Sequence, residues 1–204
     1  MKRKVFILGL LSVLILGIVS ISYSYVSFRN KTELLKKIKF SKINNGDLIL
    51  RCGRSTESYT VYLVDSKTEF THIGIVSIEN GIHYVIHAVP HKNNFIKKER
   101  LSKFLNPKYT SKFAVYRTNF SSNILTNVVN EAQKFYTKKY TFDNEYNLKT
   151  NSKLYCSELI LKAFNKSKIE LDIKTKDVNF LLGKHAIIFP SEFTKLPFKR
   201  IKIN

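Results

Sequence analysis

The sequence predicts an α+β fold on three observations. Stretches rich in β-branched residues lie between residues 48 and 89 and are typical of strands. Two segments with apolar residues at helical spacing follow, at 122–138 and from residue 156 onward. A further apolar run, Ala186–Phe189, predicts a final strand. Grouped strands followed by helices, without regular alternation of the two, indicate an α+β rather than a parallel α/β architecture.

The composition is that of a basic chain that can form a real core. Its 204 residues suit one domain with an appendage, and 44% of them are hydrophobic. Lys and Arg outnumber Asp and Glu by 35 to 15, for a net charge of +20, which favours anionic partners such as lipid head groups or wall polymers. Nucleic acid is not expected as a partner, because no zinc-finger, helix-turn-helix or RNP-type motif accompanies the charge. Cys52 and Cys156 could form one disulfide or none.

The N-terminal run Val5–Phe28 predicts a membrane segment. It holds 24 uncharged residues, enough to cross a hydrocarbon layer of about 30 Å as a helix. Lys2, Arg3 and Lys4 precede it, which predicts a cytoplasmic N-terminus and a body at the periplasmic or extracellular face. A cleaved signal peptide is the alternative, with a small-x-small site at 20–22. We therefore expect an anchor at 1–28, a basic linker at 29–44 and a globular body at 45–204.

The body begins with a turn at Asn45-Gly46-Asp47 and a strand at Leu48–Cys52. Residues 53–66 then mix Ser, Thr and Tyr with a short apolar run, which allows a short helix or a loop. Two strands follow, Thr71–Ile78 and His83–Val89, and the Asn80-Gly81 pair between them is a strong hairpin signal.

The hairpin register predicts that two histidines meet. If Asn80 and Gly81 are the central turn residues, the numbers of paired residues add to 161, so that His87 faces Gly74. His72 and His87 then project from the same face as diagonal neighbours, with Cα atoms about 7–8 Å apart. The missing side chain of Gly74 leaves room for the His87 ring to turn towards His72. A one-residue bulge at the turn would break this parity.

The second half of the body contains the helices. Ser121 or Ser122 can cap a helix that runs to about Lys138, and its apolar stripe predicts core packing. A polar loop then leads to a second helix that starts near Cys156, with Asn151 and Ser152 as candidate N-caps. After the strand at 186–189, Pro190 could open a last short helix.

Cys156 is the candidate nucleophile. A helix N-terminus carries partial positive charge and favours the thiolate, which a neighbouring base would make reactive. His72 and His87 supply a base and a group to orient it. The alternative is that Cys156 is a small buried hydrophobe on the apolar face of its helix.

Four motifs, in this order and spacing, resemble those of a known enzyme family. They are Gly46–Ile49 (GDLI), Thr71–Val76 (THIGIV), Tyr84–Pro90 (YVIHAVP) and Tyr155–Leu159 (YCSEL). The chain is thereby similar to the YiiX/YebB-like group of permuted papain-like, NlpC/P60-type cysteine hydrolases, also called the C92 peptidase family. The resemblance covers roughly residues 45–193.

The resemblance implies a permuted papain-like fold, in which an antiparallel barrel-like sheet packs against the helix of the nucleophile. It implies Cys156 as the nucleophile and His72 as the base, without a cofactor. The third position is usually Glu in the family and is His87 here, a residue that NlpC/P60 relatives also tolerate. We therefore expect a membrane-anchored or exported thiol hydrolase, an amidase or peptidase with a Cys-His-His triad acting on cell-wall-type peptide or amide bonds. Asp143 and Glu158 are the next candidates for the third position, although the position of Glu158 suggests structural support.

Three other functions stay open at this stage. Permuted members of the wider superfamily act on lipid acyl groups, so a lipid acyl hydrolase or acyltransferase at the membrane surface is one alternative. A metal hydrolase using His72, His83, His87 and His91 is the second, but strand geometry would spread the last three over about 26 Å. The third is a basic, membrane-tethered binding module with an inactive site.

Overall fold

The computed structural model describes residues 14–22, 26, 38–66, 68–90, 95–180 and 183–203. The strands are β1 Leu48–Gly53, β2 His72–Glu79, β3 Ile82–His87, β4 Lys97–Arg100, β5 Thr110–Arg117, β6 Thr141–Phe142, β7 Lys153–Leu154, β8 Lys176–Phe180, β9 Gly183–Ile187 and β10 Lys199–Ile201. The helices are α1 Thr56–Val64, α2 Leu101–Phe104, α3 Ser122–Thr137 and α4 Cys156–Lys166, with 3₁₀ turns at Phe40–Lys42 and Pro190–Thr194.

A six-stranded sheet in the order β10-β5-β1-β2-β3-β4 forms the centre of the body. Every neighbouring pair in it is antiparallel. The short parallel pair β6–β7 and the hairpin β8–β9 form two smaller sheets. Helices and antiparallel strands thus form the mixed α+β architecture that the sequence predicts.

The predicted hairpin register is confirmed. Strands β2 and β3 pair Ile75 with Ile86 and Glu79 with Ile82, as the Asn-Gly turn requires. Asn80 has φ 49° and Gly81 has φ 77°, the positive values of a type I′ turn. No bulge interrupts the pairs from Ile75–Ile86 to Glu79–Ile82, so His72 and His87 keep the parity that brings them together.

Apolar side chains cover both faces of the sheet. On one face the strands pack against the buried stripes of α3 and α4, which are Leu125, Val128, Val129, Ala132 and Phe135 in α3 and Leu159, Ile160, Ala163 and Phe164 in α4. On the other face Ile49, Val76 and Val85 pack against Leu101 and Phe104 of α2. The cysteine helix is therefore held against the sheet along its whole apolar face.

Several predicted boundaries are wrong. Asn151 and Ser152 do not cap α4, because β7 intervenes and Tyr155, in an extended conformation, is the N-cap residue. The predicted strand at 186–189 ends at Ile187, since the Ile188 N–H donates to the Tyr155 hydroxyl (3.0 Å) instead of to a strand. The short strands β4 and β10 were not predicted, because they consist mainly of charged residues and lack the apolar alternation that indicates a strand.

The predicted anchor at residues 5–28 lies largely outside the described residues. Residues 14–22 are helical and exposed. Among the residues that the structure describes, no helix has both the length and the apolar character to span a membrane. The described end of the predicted linker packs on the body, since Ile43 is buried and the Lys39 N–H donates to the Ile203 carbonyl (2.8 Å).

Candidate active site

Cys156 is the first residue of α4, as predicted. Glu158 stabilises this helix start, because its Oε2 accepts from the Tyr155 N–H (3.3 Å) while Oε1 pairs with Lys162 Nζ (2.8 Å). This contact is half of a capping box and supports the predicted structural role of Glu158. The position of Cys156 is therefore fixed by the first turn of its own helix.

The Cys156 thiol is protonated at rest. Burial raises the pKa of Cys156, although hydrogen bonding to the backbone of Ile73 and to Ser157, whose Oγ lies 3.9 Å from Sγ, lowers it in part. Hydrogen bonding to the backbone at the helix start, at Cys156 and Ser157, lowers this pKa as expected, but desolvation outweighs it and the net shift is upward. Cys52 is buried in β1, and the two cysteines form no disulfide.

His72 and His87 form the pair that the hairpin register predicts. His72 Nε2 lies 2.8 Å from His87 Nδ1, and the ring planes stand at 81° to each other. Gly74 makes this possible, since a Cβ there would lie 3.1 Å from the His87 Cβ. Burial lowers the pKa of His72 well below its usual value and lowers the pKa of His87 to about 4, so both rings are neutral near pH 7.

Glu99 extends this pair on the side of His87. Its Oε1 lies 3.3 Å from His87 Nε2, an ion-pair distance with an approach too oblique for a regular hydrogen bond. Burial alone would raise the pKa of Glu99, but its interactions with His87, Arg51 and Lys103 outweigh burial and lower the pKa to about 2. An ionised carboxylate therefore stands at the end of a row that runs from His72 through His87 to Glu99.

The Glu99 carboxylate favours one tautomer in each ring of the histidine pair. A carboxylate accepts only, so neutral His87 places its proton on Nε2 and leaves Nδ1 as an acceptor. His72 then donates from Nε2 to that nitrogen, and its own Nδ1 is left without a proton. In this tautomer Nδ1 of His72 carries a lone pair and can accept a proton.

Arg51 and Phe104 enclose the histidine pair. Arg51 faces His72 across β1 and β2, lies over the Phe104 ring (4.1 Å) and donates to the Phe104 carbonyl (2.6 Å). The Phe104 ring is also 5.1 Å from the His87 ring, centre to centre. The aromatic ring excludes water, and the positive charge of Arg51 further lowers the pKa of His72.

Cys156 lies beside strand β2, which carries His72. Cys156 contacts the backbone of Ile73, the residue that follows His72. In the described part of the chain, however, no hydrogen bond joins the Cys156 sulfur to the His72 ring. In apo enzymes such contacts are often long and tighten only with substrate.

Two other candidate residues serve the backbone. The Asp143 carboxylate accepts from the Glu145 N–H (3.0 Å) and the Asn147 N–H (2.6 Å), which holds the loop before α4. His83 has its Nε2 3.2 Å from the Ile43 carbonyl, away from the pair, and His91 lies outside the described residues. The described residues contain no group of three His, Cys, Asp or Glu side chains placed to hold a metal ion.

A largely apolar cavity of about 190 Å³ opens beside Cys156. Its lining comes from α1, from the residue before β2, from the loop before α4 and the first residue of α4, and from the end of β9 and the segment that follows it. The residues are Glu57, Thr60, Val61, Val64, Thr71, Tyr146, Tyr155, Cys156 and 187–190. Sequence reasoning missed this role of α1, which it left as a helix or a loop. It also missed Glu99, because the charged residues of β4 do not indicate that this segment is a strand paired with β3.

Comparisons with known proteins identify the family and the fold. A family model described as permuted papain-like amidase enzyme, YaeF/YiiX, C92 family, matches residues 42–193. Among solved structures, the metalloprotein YiiX from Escherichia coli O157:H7 is similar, with a TM-score of 0.67 and 16% identity over 80% of this chain and 98% of that chain. A search of the curated proteins gives no match. Because the family model covers most of the body, the chain belongs to the C92 family of permuted papain-like amidases.

Proposed function

We propose that the protein is a thiol amidase in which Cys156 is the nucleophile, His72 the base and His87 the group that orients His72. The observation that carries the proposal is the 2.8 Å contact between His72 and His87, on the strand whose next residue touches Cys156. Glu99 joins this set as a positioning residue that fixes the proton on His87.

The reaction starts from a neutral thiol and a neutral imidazole. As Sγ of Cys156 attacks the carbonyl carbon, its proton passes to Nδ1 of His72 and the carbonyl oxygen takes the negative charge. The positive end of α4 stabilises this oxyanion. The imidazolium then gives its proton to the amine as the C–N bond breaks, and water hydrolyses the thioester by the same route. Glu99 stabilises the imidazolium through His87.

The proposed substrate follows from the net charge of the chain and from the proposed position of its body outside the cytoplasm. A net charge of +20 favours an anionic envelope, so peptide or amide bonds in cell-wall peptides are the proposed substrates. The run at 5–28 is proposed to hold the protein in the membrane with the body outside the cytoplasm. Protease added outside intact cells should then digest the body, and protection of the body would contradict this orientation.

A lipid acyl hydrolase or acyltransferase is a second candidate, and the apolar cavity beside Cys156 favours it. The same thiol chemistry would cleave an acyl ester. An inactive basic binding module is the third, and it predicts no turnover that depends on Cys156.

A metal site does not fit the residues present. The solved relative is called a metalloprotein, but here His72 Nε2 and His87 Nδ1 face each other at 2.8 Å, too close for an ion between them. The neighbouring described residues supply no three-ligand group either. We therefore derive no step through a metal.

The test is turnover of a mixed panel of wall peptides, simple amides and acyl lipids by the purified protein. Cys156→Ser should abolish turnover of the preferred class, and Cys52→Ser, which removes the other cysteine, should keep most of it. Equal loss in both variants, or activity in Cys156→Ser, would contradict the proposal. Activity that EDTA removes and Zn²⁺ restores would point to metal chemistry instead.

A further inference from the structure

We infer that the cavity beside Cys156 is a specificity pocket for an uncharged, apolar group of the substrate, about the size of one aromatic ring, held next to the scissile carbonyl. The inference rests on the proposed function and names the substrate class of that site. It depends on which residues line the cavity, on how α1 presents them, and on where the nearby charges are directed.

Helix α1 forms one wall of the pocket. Glu57, Thr60, Val61 and Val64 line it, and their spacing places them on one face of the helix. None of the helix residues is buried, although the helix carries several apolar side chains. Val64 is 38% exposed, so apolar surface at the pocket is left uncovered until a ligand arrives.

The opposite wall consists of residues 187–190 and two tyrosines. The Tyr155 hydroxyl accepts from the Ile188 N–H (3.0 Å), which directs this polar group to the backbone. Burial raises the pKa of Tyr146 to about 12 and raises that of Tyr155 further, so both phenols stay neutral. This wall therefore offers rings and aliphatic carbon without charge.

The charged groups behind the pocket form ion pairs with one another. Asp65, the C-cap of α1, is buried and forms an ion pair with Lys176 of β8. Lys176 Nζ also lies 3.7 Å from Glu192 Oε1 and 5.4 Å from the centre of the Phe189 ring. This cluster ties the end of α1 to the 190–194 turn and so fixes the width of the pocket.

Glu57 is the one charged residue among the described residues of the lining. Hydrogen bonding with Ser55 is the main reason that its pKa is lowered, so it is ionised near pH 7. A carboxylate on the substrate would therefore meet repulsion at this end. The basic surface attracts anionic material, but the pocket itself excludes an anionic group.

The volume limits the size of the group. A cavity of about 190 Å³ is smaller than the roughly 300–1,000 Å³ of pockets that enclose a whole drug-sized ligand. It exceeds the roughly 150 Å³ cavity that holds benzene in another protein. A benzyl or branched aliphatic group therefore fits, with the rest of the substrate outside.

The experiment measures the alkylation rate of Cys156 in the full-length protein with haloacetamides that carry benzyl, butyl, carboxymethyl or aminoethyl groups. Each rate is divided by that of a free thiol, and peptide mass spectrometry separates Cys156 from Cys52. We expect the benzyl reagent to exceed the carboxymethyl reagent by about tenfold. A ranking that follows charge, or no ranking, would overturn the inference.

Variants of α1 locate the effect. Val64→Phe fills the pocket and should lower the benzyl rate about tenfold while unsubstituted iodoacetamide changes by less than about twofold. Val64→Ala should move the preference to a naphthylmethyl reagent. Leu63→Phe is the matched control, because Leu63 is 48% exposed on the same helix and does not line the pocket. An equal loss of both rates in Val64→Phe would contradict the assignment.

Amide turnover by the same variants separates the two proposals. If no amide is cleaved but the benzyl preference and its loss in Val64→Phe persist, the proposed function fails and the pocket stands. If turnover depends on Cys156 but neither substrate nor reagent preference is apolar, the pocket inference fails and the amidase stands.

Discussion

Removing the charge of Glu99 should slow the enzyme without removing any group that touches substrate. Glu99→Gln keeps the size of the side chain and replaces the anion that faces His87 Nε2 at 3.3 Å. The amide of the variant favours one tautomer of His87 less strongly than the carboxylate does. Because it is neutral, it also does not stabilise the imidazolium that forms on His72 during attack.

The expected loss can be worked from the distances. The charge that forms on His72 lies beyond the His87 ring, whose centre is 5.0 Å from that of the His72 ring, so it is on the order of 8 Å from the Glu99 carboxylate. At that separation an effective dielectric of about 20 gives an interaction of roughly 2 kcal/mol. Because the Glu99 side chain is 16% exposed, solvent screening reduces this figure. We take about 1.5 kcal/mol, which corresponds to roughly tenfold in kcat/KM.

The assay is the pH profile of kcat/KM for wild type, Glu99→Gln and the control Glu79→Gln, which removes an exposed acid paired with Lys98 (2.5 Å) elsewhere on the sheet. We expect a lower plateau with KM little changed, and an acid limb moved to lower pH, because Glu99 raises the pKa of His87. If Glu99→Gln and Glu79→Gln give the same profile, Glu99 does not act through the histidines.

Three further predictions concern the same cluster. Burial lowers the pKa of His87 to about 4, from about 6.5 in the unfolded chain. Between these two pH values the unfolded state binds more protons than the folded state, so the free energy of unfolding falls as the pH is lowered from about 6.5 to about 4. His87→Gln should remove up to about 3 kcal/mol of that fall in urea unfolding between about pH 7 and pH 4.5, and identical pH dependence in the two proteins would contradict this. His87→Glu should lose activity, because a second carboxylate meets Glu99, and Glu99→Gln added to it should restore part of kcat/KM; an active single variant would contradict the placement. Gly74→Ala should lower the free energy of unfolding by about 1–3 kcal/mol in thermal unfolding, because the added Cβ would lie 2.5 Å from Val85 Cγ1. A Tm equal to that of wild type would contradict this prediction and show that β3 moves to accommodate the Cβ.

Local rules were enough to predict the histidine pair. The Asn80-Gly81 turn fixes the register, and the period of two then places His72 and His87 on one face without knowledge of the remaining fold. The start of α4 at Cys156 and the extent of α3 followed from helical spacing in the same way.

The environment of these residues could not be predicted, because it depends on distant segments. Glu99 reaches His87 only because β4 pairs with β3, and the charged run of β4 carries no strand pattern. The pKa of Cys156 rises because neighbouring elements bury it, which a helix start alone does not show. Tyr155 caps α4 although tyrosine is not a favoured N-cap residue, since Glu158 supplies the capping contact.

The most direct test of the central claim is the rate at which a substrate acyl group forms a thioester on Cys156. Rapid quench of the reaction with an activated substrate, followed by peptide mass spectrometry, gives this rate for wild type and His72→Ala. We predict acyl mass on the Cys156 peptide alone, formed about a thousandfold more slowly in His72→Ala, within the range of general-base catalysis. Acyl mass on the Cys52 peptide, or an undiminished rate in His72→Ala, would contradict the assignment of nucleophile and base.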